Sequence, residues 1–533
     1  MHPPLDVPLS SEVAREIKRA EKLFAGALTT EALSKKKLRD AETDLREQLL
    51  ELQTRLRDAD FNVLVLFAGV DGAGKGDLAN LLSTWMDPRG IETRAYGALS
   101  DEEAERPRYW RYWRDLSEHG QIGVFLSAWY SQPLLDRVYG ESSPEVLLSQ
   151  VQAIRALERT LAEDGTLILK FWMHLGLEAQ KQRLEKLEAD PLSRWRVTRK
   201  DWEHWTMYDR FVRTGALLIE GTTAEAAPWH IVDGSDGRYR GLTVGRVIRD
   251  ALENRLDEMD ARRSTPVETA DSGEPPTVPN ATGRVVSVLS DLDLGRTLDR
   301  QGYRSELKRL QARLNRLHRL AREQGRSTIL VFEGWDAGGK GGAIRRIVPA
   351  LDMRDVRIIS IAAPTDEENK HHYLWRFWRH LSRAGKVTIF DRSWYGRVLV
   401  ERIEGFAAEQ EWRRAYQEIN EFEESLTEHG IILVKFWLHI SQEEQDRRFQ
   451  AREEVPYKRW KLTEEDWRNR EQWKAYEDAV DDMVRLTNSP TAPWVLVEGN
   501  DKRFARVKVL QSVCDVLADA LGVSETSDLE VRH

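Results

Sequence analysis

The chain contains the same pattern twice, and this internal repeat limits its possible fold more than any other feature. Adding 265 to a residue number in the first half gives its counterpart in the second, so that FAGVDGAGKGD at Phe67–Asp77 corresponds to FEGWDAGGKGG at Phe332–Gly342. The same register relates LKFWMH at Leu169–His174 to VKFWLH at Val434–His439. A period of this length is the size of a whole domain, so the 533 residues are predicted to form two tandem copies of one domain.

The segment between the two copies differs from both in composition. RRSTPVETADSGEPPTVPNATG, at Arg262–Gly283, is rich in Pro, Ser, Thr and Gly and poor in apolar residues. Such a composition is typical of a linker. We therefore predict a first domain over residues 1–261, a linker over 262–283 and a second domain over 284–533.

Short β-branched runs alternate with helix-length amphipathic stretches in the second copy. The runs that qualify as buried strands are residues 327–332, 356–363, 386–391, 430–440 and 494–499. Strands separated by helices predict a parallel sheet with helices on both faces. The stretch from Ser441 to Leu486 is helical in pattern and rich in arginine, and its position between the fourth and fifth strands is that of a lid.

A glycine-rich loop follows the first of these strands. Gly334, four further residues, Gly339 and Lys340 satisfy the spacing G-x-x-x-x-G-K, and Gly338 and Gly341 add to its glycines. In such a loop the backbone N–H groups surround phosphate oxygens, the helix that follows adds partial positive charge, and the lysine adds a full one. The fold class is therefore predicted to be α/β, with two tandem P-loop-kinase-like domains.

The loop lacks the hydroxyl that usually binds Mg²⁺ in P-loop enzymes, because Gly341 follows the lysine where Ser or Thr is normal. Two carboxylates are available instead. Asp336 lies inside the loop, and Asp391 ends the third strand in IFDRSWYGR, where an acid would emerge at the carboxyl edge of the sheet. Mg²⁺ usually takes one or two carboxylates together with substrate phosphates, so Asp336 and Asp391 are the predicted metal ligands.

Many cations stand in the stretches that could face this loop. Together they predict a channel for a substrate with much more negative charge than one nucleotide, since guanidinium groups bind phosphate oxygens in pairs. They are Arg376, Arg379, Arg392, Arg397, Arg447, Arg448, Arg452, Lys458, Arg459 and Lys461. Of these, Arg397, Arg448, Lys458 and Arg459 are predicted, with the loop glycines and Lys340, to bind phosphate or nucleotide.

At these residues the sequence resembles the polyphosphate kinase 2 family. The second copy has the family's G-x-D-x-x-G-K-G loop at Gly334–Gly341, its D-R-S-W-Y motif at Asp391–Tyr395 and its arginine-rich helical lid. The resemblance covers both domains and is closest to the tandem type, which makes ADP from AMP and inorganic polyphosphate with Mg²⁺. It implies that the catalytic residues are Asp336, Lys340, Asp391, Arg392 and Arg452.

The first copy keeps the loop but loses most of the other catalytic positions. Asp71, Gly74 and Lys75 remain, whereas the counterparts of Asp391, Arg392, Ser393, Arg397 and Arg452 are Leu126, Ser127, Ala128, Gln132 and Leu187. Each such loss typically costs orders of magnitude in rate. The first domain is therefore predicted to be a degenerate, inactive copy.

The amino-acid composition limits which partners and which location are expected for this chain. The 80 basic and 89 acidic residues give a formal charge of -9, which argues against a nucleic-acid binder. No apolar run approaches the 18 residues of a membrane span, the N-terminus lacks an export signal, and Cys514 is the only cysteine, so a cytoplasmic protein is expected. A homo-oligomer is compatible with the sequence. Two alternatives stay open: an ATP-dependent kinase of nucleotides or small molecules, and a non-catalytic sensor of polyphosphate or nucleotide.

Overall fold

The computed structural model describes residues 11–27, 34–264, 287–454, 468 and 470–523. The described residues form two compact units. The first unit consists of the described residues within Met1–Ala98, Asp115–Gly273 and Lys370–His372. The second unit consists of those within Leu99–Arg114, Glu274–Asn369 and Tyr373–His533. Most of the predicted linker lies outside the described residues. Its first three residues, 262–264, are the end of a helix, Gly237–Ser264.

The first unit is built on a five-stranded parallel sheet. Its spatial order is β2-β3-β1-β4-β5, so the strand that leads into the loop lies at the centre. The strands are β1 (Val63–Gly69), β2 (Ile91–Ala95), β3 (Ile122–Leu126), β4 (Leu167–His174) and β5 (Trp229–Asp233).

Eleven α-helices are described in the first half of the chain. They are α1 (Ser11–Ala25), α2 (Lys35–Leu56), α3 (Lys75–Trp85), α4 (Asp101–Ala104), α5 (Trp110–Arg114), α6 (Ser131–Tyr139), α7 (Pro144–Glu163), α8 (Leu177–Ala189), α9 (Arg199–Thr206), α10 (Tyr208–Thr222) and α11 (Gly237–Ser264). Short 3-10 turns occur at Pro88–Gly90 and Arg194–Arg196.

The second unit repeats the sheet strand for strand. Its parallel order is β7-β8-β6-β9-β10, which is the first order shifted by five, and it confirms the predicted α/β fold. The strands are β6 (Thr328–Gly334), β7 (Val356–Ser360), β8 (Val387–Asp391), β9 (Ile432–His439) and β10 (Trp494–Glu498).

Eight α-helices are described in the second half. They are α12 (Arg300–Glu323), α13 (Lys340–Ile347), α14 (Trp375–Trp378), α15 (Val400–Ile403), α16 (Glu409–Glu428), α17 (Gln442–Glu453), α18 (Trp473–Thr487) and α19 (Lys502–Leu521). The 3-10 turns are Val348–Ala350, Glu368–Lys370 and Trp394–Val398. None of the helices described in either half is long and apolar enough to cross a membrane.

Apolar packing fixes the sheet of the second unit and so the position of its loop. The leucine stripe of α12 and the apolar face of α19 share one buried core with the centre of β6 and β9. Leu314 and Val513, from the two helices, and Phe332 and Phe436, from the two strands, belong to this core. Because every strand is parallel, β6 and β8 end at the same edge, and their register pairs Phe332 with Asp391. The loop and the acid of β8 therefore leave the sheet side by side.

Candidate active site

The loop between β6 and α13 has the tight geometry that its glycines predict. Gly334 has φ of 144°, and a Cβ there would lie 2.5 Å from the Leu438 carbonyl oxygen of the neighbouring strand. Gly339 has φ of 117° and directly precedes α13. Gly341, in the first turn of α13, has open space where a Cβ would point. The loop thus approaches β9 closely and leaves the helix N-terminus accessible to an anion.

The side chain of Lys340 lies back along this loop. Its Nζ donates to the carbonyl oxygens of Gly334, at 2.6 Å, and Trp335, at 3.4 Å. The equivalent Lys75 makes the same contacts with Gly69, at 2.8 Å, and Val70, at 3.0 Å. The ammonium group is therefore already placed inside the curve of the loop in both copies.

Asp336 and the residues that follow β8 come together. Arg392 Nη2 donates to Asp336 Oδ1 at 3.1 Å, and Arg392 is directly bonded in sequence to Asp391. The Arg392 backbone is left-handed, with φ of 65°, a conformation that non-glycine residues rarely adopt. A strained backbone at a strand end is common at functional sites. The predicted acid pair and the first arginine thus lie around one loop.

The described residues contain no group of three His, Cys, Asp or Glu arranged to hold a metal ion. Two carboxylates, however, fit Mg²⁺, because this ion usually keeps several waters and takes its remaining ligands from substrate phosphates. Asp336 and Asp391 supply oxygen donors at the loop, with Asp336 held by Arg392. Their role as metal ligands stays a prediction that the donor set favours.

The D-R-S-W-Y motif divides into two parts with different surroundings. Trp394 and Tyr395 point into the core, where both donate to Glu423, and Lys435 donates to Glu423 at 2.7 Å. The first copy has the same buried network at positions lower by 265, in which Trp129 and Tyr130 donate to Glu158, and Lys170 donates to Glu158 at 2.7 Å. The network survives in a copy that lost the acid and arginine, so Trp-Tyr belongs to the fold and Asp-Arg-Ser to the site.

Glu333 is a candidate site residue that the sequence reasoning missed. It is the second-last residue of β6, only 5% exposed, and accepts a hydrogen bond from Ser393 Oγ at 2.7 Å. Burial raises the pKa of Glu333, and the charge of Lys340 opposes that rise. The repeat could have indicated Glu333, because the residue that corresponds to it in the first copy is Ala68. A carboxylate in this apolar strand is therefore specific to the second copy.

Arg448 of α17 contacts the backbone of the loop. Its guanidinium donates to the carbonyl oxygens of Ala337, Gly338, Gly499 and Asn500, at 2.6 to 3.0 Å, and to Glu444 at 2.5 Å. A guanidinium has five N–H donors, and all five are used here. In this arrangement Arg448 holds the loop to the residues that follow β10, and direct binding of phosphate by Arg448 stays a prediction.

The other predicted cations lie in different places. Arg447 and Arg452 are both in α17, where Arg447 pairs with Glu444. Arg397 lies in the turn after β8, where it faces Glu401 at 3.2 Å and the ring of Tyr373. Arg376 and Arg379, expected near the loop, instead pair with Glu368 and Glu367, both at 3.2 Å. Lys458, Arg459 and Lys461 lie outside the described residues.

The first copy has its own partners at the loop positions that remain. His204 Nδ1 donates to Asp71, the counterpart of Asp336, at 2.6 Å, while Tyr139 lies 2.9 Å from the other ring nitrogen. Burial favours a higher pKa for Asp71, but the hydrogen bond from His204 and the charge of Lys75 outweigh it and lower the pKa. The loop acid is thus engaged within the protein.

A second carboxylate of the first copy takes up the cations near its loop. Asp77, in the first turn of α3, stands where the second copy has Gly342. It pairs with Arg196 at 2.7 Å, Arg183 at 3.2 Å and Arg240 at 3.6 Å. Arg240 also donates to the carbonyl oxygens of Ala73 and Gly234, the counterparts of two acceptors of Arg448. An internal carboxylate therefore neutralises the cations that a phosphate would need.

Comparisons with known proteins find relatives over nearly the whole chain. The profile of the polyphosphate kinase 2 family matches residues 32–260 and 297–523. A polyphosphate:AMP phosphotransferase of Pseudomonas aeruginosa is 48% identical over 499 residues, which cover 93% of this chain and 99% of that protein. One from Acinetobacter johnsonii is 35% identical and covers 88% of this chain and 94% of that protein. A crystal structure of a polyphosphate kinase 2 from Pseudomonas aeruginosa PA01 superposes with a TM-score of 0.82 at 46% identity and covers 94% of this chain and 99% of that one.

Proposed function

The chain belongs to the polyphosphate kinase 2 family, and we propose that it transfers the terminal phosphoryl group of inorganic polyphosphate to AMP, making ADP. The relatives that match nearly the whole chain are phosphotransferases of this kind. The observation that carries the assignment to the second domain is the contact between Asp336 and Arg392, which joins the loop acid to the strand-end motif. The first domain lacks both the motif acid and the arginine.

The transfer needs little covalent chemistry from the protein. An anionic oxygen of the AMP phosphate attacks the terminal phosphorus, the bond from that phosphorus to the bridging oxygen breaks, and the polymer leaves one phosphate shorter. No strong base is required, because the attacking oxygen is already ionised at neutral pH. Catalysis therefore depends on positioning and on stabilising charge at the transferring group.

The residues of the second domain divide this work. Lys340 and the N–H groups at the start of α13 bind the phosphate oxygens, and Lys340 leaves its loop carbonyls to do so. Arg392, with 40% of its side chain exposed, stabilises charge on the moving phosphoryl group, and Arg452 of α17 adds to it from the lid. Asp336 and Asp391 would hold Mg²⁺, which neutralises and orients the phosphate chain.

Exclusion of water is the remaining requirement, since a phosphoryl group in an open site would also be transferred to water. The helical segment after β9 supplies the cover. Its α17 is joined to the loop through Arg448 and through Gln445, whose amide donates to the Asp336 carbonyl oxygen at 3.1 Å. The first helix of this segment and the loop are therefore held together by hydrogen bonds.

The first domain is proposed to be catalytically silent. Leu126 and Ser127 replace the acid and the arginine, Asp71 is bound to His204, and Asp77 neutralises Arg183 and Arg196. Each of these features alone would slow phosphoryl transfer, and together they leave neither a metal pair nor an open anion site.

One assay tests the function. The protein is incubated with Mg²⁺ and AMP plus either polyphosphate or ATP, and ADP is followed. We expect ADP that depends on the polymer; turnover only with ATP would instead make the protein a nucleotide kinase, and binding without turnover would make it a sensor.

The same substitution in the two loops then assigns the domain. Lys340→Met should abolish turnover, whereas Lys75→Met should leave it within about twofold of the unmodified protein. Equal losses in the two variants would contradict the assignment of catalysis to the second domain.

A further inference from the structure

The buried pair of Glu333 and Ser393 is not explained by the fold. The exposed fractions of these residues are 5% and 2%. The Ser393 hydroxyl donates to Glu333 at 2.7 Å and accepts from the Tyr395 N–H at 3.3 Å, which fixes the direction of its proton. A carboxylate taken from water into the core is costly unless nearby charge compensates it.

The first copy shows what the domain needs at these two positions. Ala68 and Ala128 are the counterparts, so both partners of the hydrogen bond are absent together. The sheet order is unchanged, and the turn after β3 keeps its left-handed residue, Ser127, with φ of 56° against 65° at Arg392. Neither the strand nor the strained turn therefore requires the Glu-Ser pair.

The charges around Glu333 indicate where the pair acts. Burial raises the pKa of Glu333, the charges of Lys340 and Arg392 oppose that rise, and the charge of Asp391 adds to it. When Glu333 is ionised, three carboxylates, those of Glu333, Asp336 and Asp391, lie at this loop with two cations, Lys340 and Arg392. Such a set has one negative charge in excess and favours binding of a cation.

We propose, on the basis of the phosphoryl-transfer function above, that Glu333 is a positioning residue of the magnesium site. Held by Ser393, its carboxylate supplies a third negative charge that raises the affinity of Asp336 and Asp391 for a divalent cation. Groups behind the direct ligands of a metal commonly change its affinity about 10- to 100-fold. Glu333 acts here through Asp391 and Arg392 and does not itself touch the transferring phosphoryl group.

The test measures binding of Mn²⁺, a spectroscopic substitute for Mg²⁺, with no AMP or polyphosphate present. Free Mn²⁺ is followed by electron paramagnetic resonance at pH 8 in the full-length protein and in Glu333→Gln, which keeps an acceptor for Ser393 but removes the charge. We expect Mn²⁺ binding to weaken about 10- to 100-fold. Unchanged Mn²⁺ affinity would overturn the proposal.

Two further variants separate this role from a structural one. Glu333→Ala combined with Ser393→Ala recreates Ala68 and Ala128, so it should keep the melting temperature of the second domain and still lose Mn²⁺ affinity. Asp355→Asn is the control, because it removes another buried carboxylate, which pairs with Lys386. Asp355 directly precedes β7 and so lies at the amino ends of the strands, away from the loop, and its substitution should leave Mn²⁺ affinity unchanged. Equal weakening in Asp355→Asn would mean that the effect is nonspecific, and would also overturn the proposal.

Turnover distinguishes this inference from the proposed function. If the unmodified protein makes no ADP from polyphosphate, the function fails, while the Mn²⁺ result still decides the role of Glu333. If it does make ADP, activity of Glu333→Gln should recover as Mg²⁺ is raised about 10- to 100-fold, matching the loss of affinity. Failure to recover, with weaker Mn²⁺ binding, would contradict a role confined to metal affinity.

Discussion

Replacing Arg448 by alanine should destabilise the second domain, because this one side chain joins three parts of it. The substitution removes the bonds from the guanidinium to the loop at Ala337 and Gly338, to the end of β10 at Gly499 and Asn500, and to Glu444. Arg448 is 5% exposed and Glu444 is 7% exposed. Water can therefore replace few of the lost donors.

The expected size follows from this burial. Removing one partner of a buried ion pair typically costs about 3–5 kcal/mol. Glu444 keeps Arg447 as a partner, but the carbonyl oxygens of Ala337, Gly338, Gly499 and Asn500 lose the donor that Arg448 supplies. For a domain of this size each kcal/mol corresponds to about 2–4 °C in melting temperature, so the melting of the second domain should fall by about 6–20 °C. Turnover should fall with it, since the loop carbonyls lose their support.

The first copy suggests a second substitution that should restore part of the lost stability. There Arg240 of α11 donates to the carbonyl oxygens of Ala73, at 3.1 Å, and Gly234, at 3.0 Å, the counterparts of Gly338 and Gly499. The residue equivalent to Arg240 in α19 is Ala505. Adding Ala505→Arg to Arg448→Ala places a guanidinium in the vacated space from the other helix and should restore about 1.5–3 kcal/mol.

Calorimetry on the full-length protein measures both effects, with Arg240→Ala as the matched substitution in the first domain. The opposite result is informative. If Arg448→Ala leaves melting unchanged and only raises KM for polyphosphate, then Arg448 is a phosphate ligand and the clamp described here is wrong. If the single variant is destabilised but Ala505→Arg restores nothing, the two copies do not share an interchangeable loop support.

Three further outcomes are expected. Asp391→Asn should lower kcat at least about 100-fold with Mg²⁺ in excess, because the proposed metal site would lose a ligand and a negative charge. A loss below about tenfold would argue against a catalytic role for this acid. Burial lowers the pKa of His439 from its ordinary 6.5 to about 4, so the unfolded chain binds a proton more tightly than the folded chain does. The contribution of this histidine to the free energy of unfolding should therefore be complete above pH 6.5 and should be lost as the pH falls towards 4. The structural reason is that protonation removes the acceptor for Trp335 Nε1. His439→Gln should flatten that decline in pH-dependent melting, and an unchanged profile would exclude this histidine as its cause. Asp77→Gly should open an anion site in the first domain. Calorimetry should therefore detect pyrophosphate binding in the double variant Asp77→Gly/Lys340→Met but not in Lys340→Met alone. Absence of binding in the double variant would contradict the neutralising role of Asp77.

Much of the fold could be predicted from the sequence, because its signals are local and repeated. The five predicted strands of the second copy agree with β6 to β10 to within three residues at each end. The prediction that they are buried is right for β6, β8 and β9 but wrong for the edge strand β7, most of whose residues are exposed. The loop could be predicted equally well because Gly334 and Gly339 adopt positive φ values that glycine tolerates best.

The candidate site could be predicted only in part, because a side chain's charge does not reveal its partner. The guanidinium of Arg448 has the charge and donors of a phosphate ligand, but in the structure it donates to backbone carbonyl oxygens of the protein itself. Arg376 and Arg379 were expected at the loop but pair with nearby glutamates. Glu333 was missed because a single carboxylate in an apolar run resembles a strand end, and only Ser393, 60 residues further on, explains its burial.

The left-handed residue after β3 bears on how the duplicated domain could be changed. A non-glycine residue in this conformation costs about 1–2 kcal/mol, yet Ser127 retains it at φ 56° with no guanidinium to aim. The first copy thus has the bent backbone of this turn without the acid and the arginine that the second copy has there. Placing an acid, an arginine and a serine at positions 126–128 would consequently keep the main-chain conformation of this turn, so the first copy is a suitable scaffold for a chain designed to have two catalytic centres.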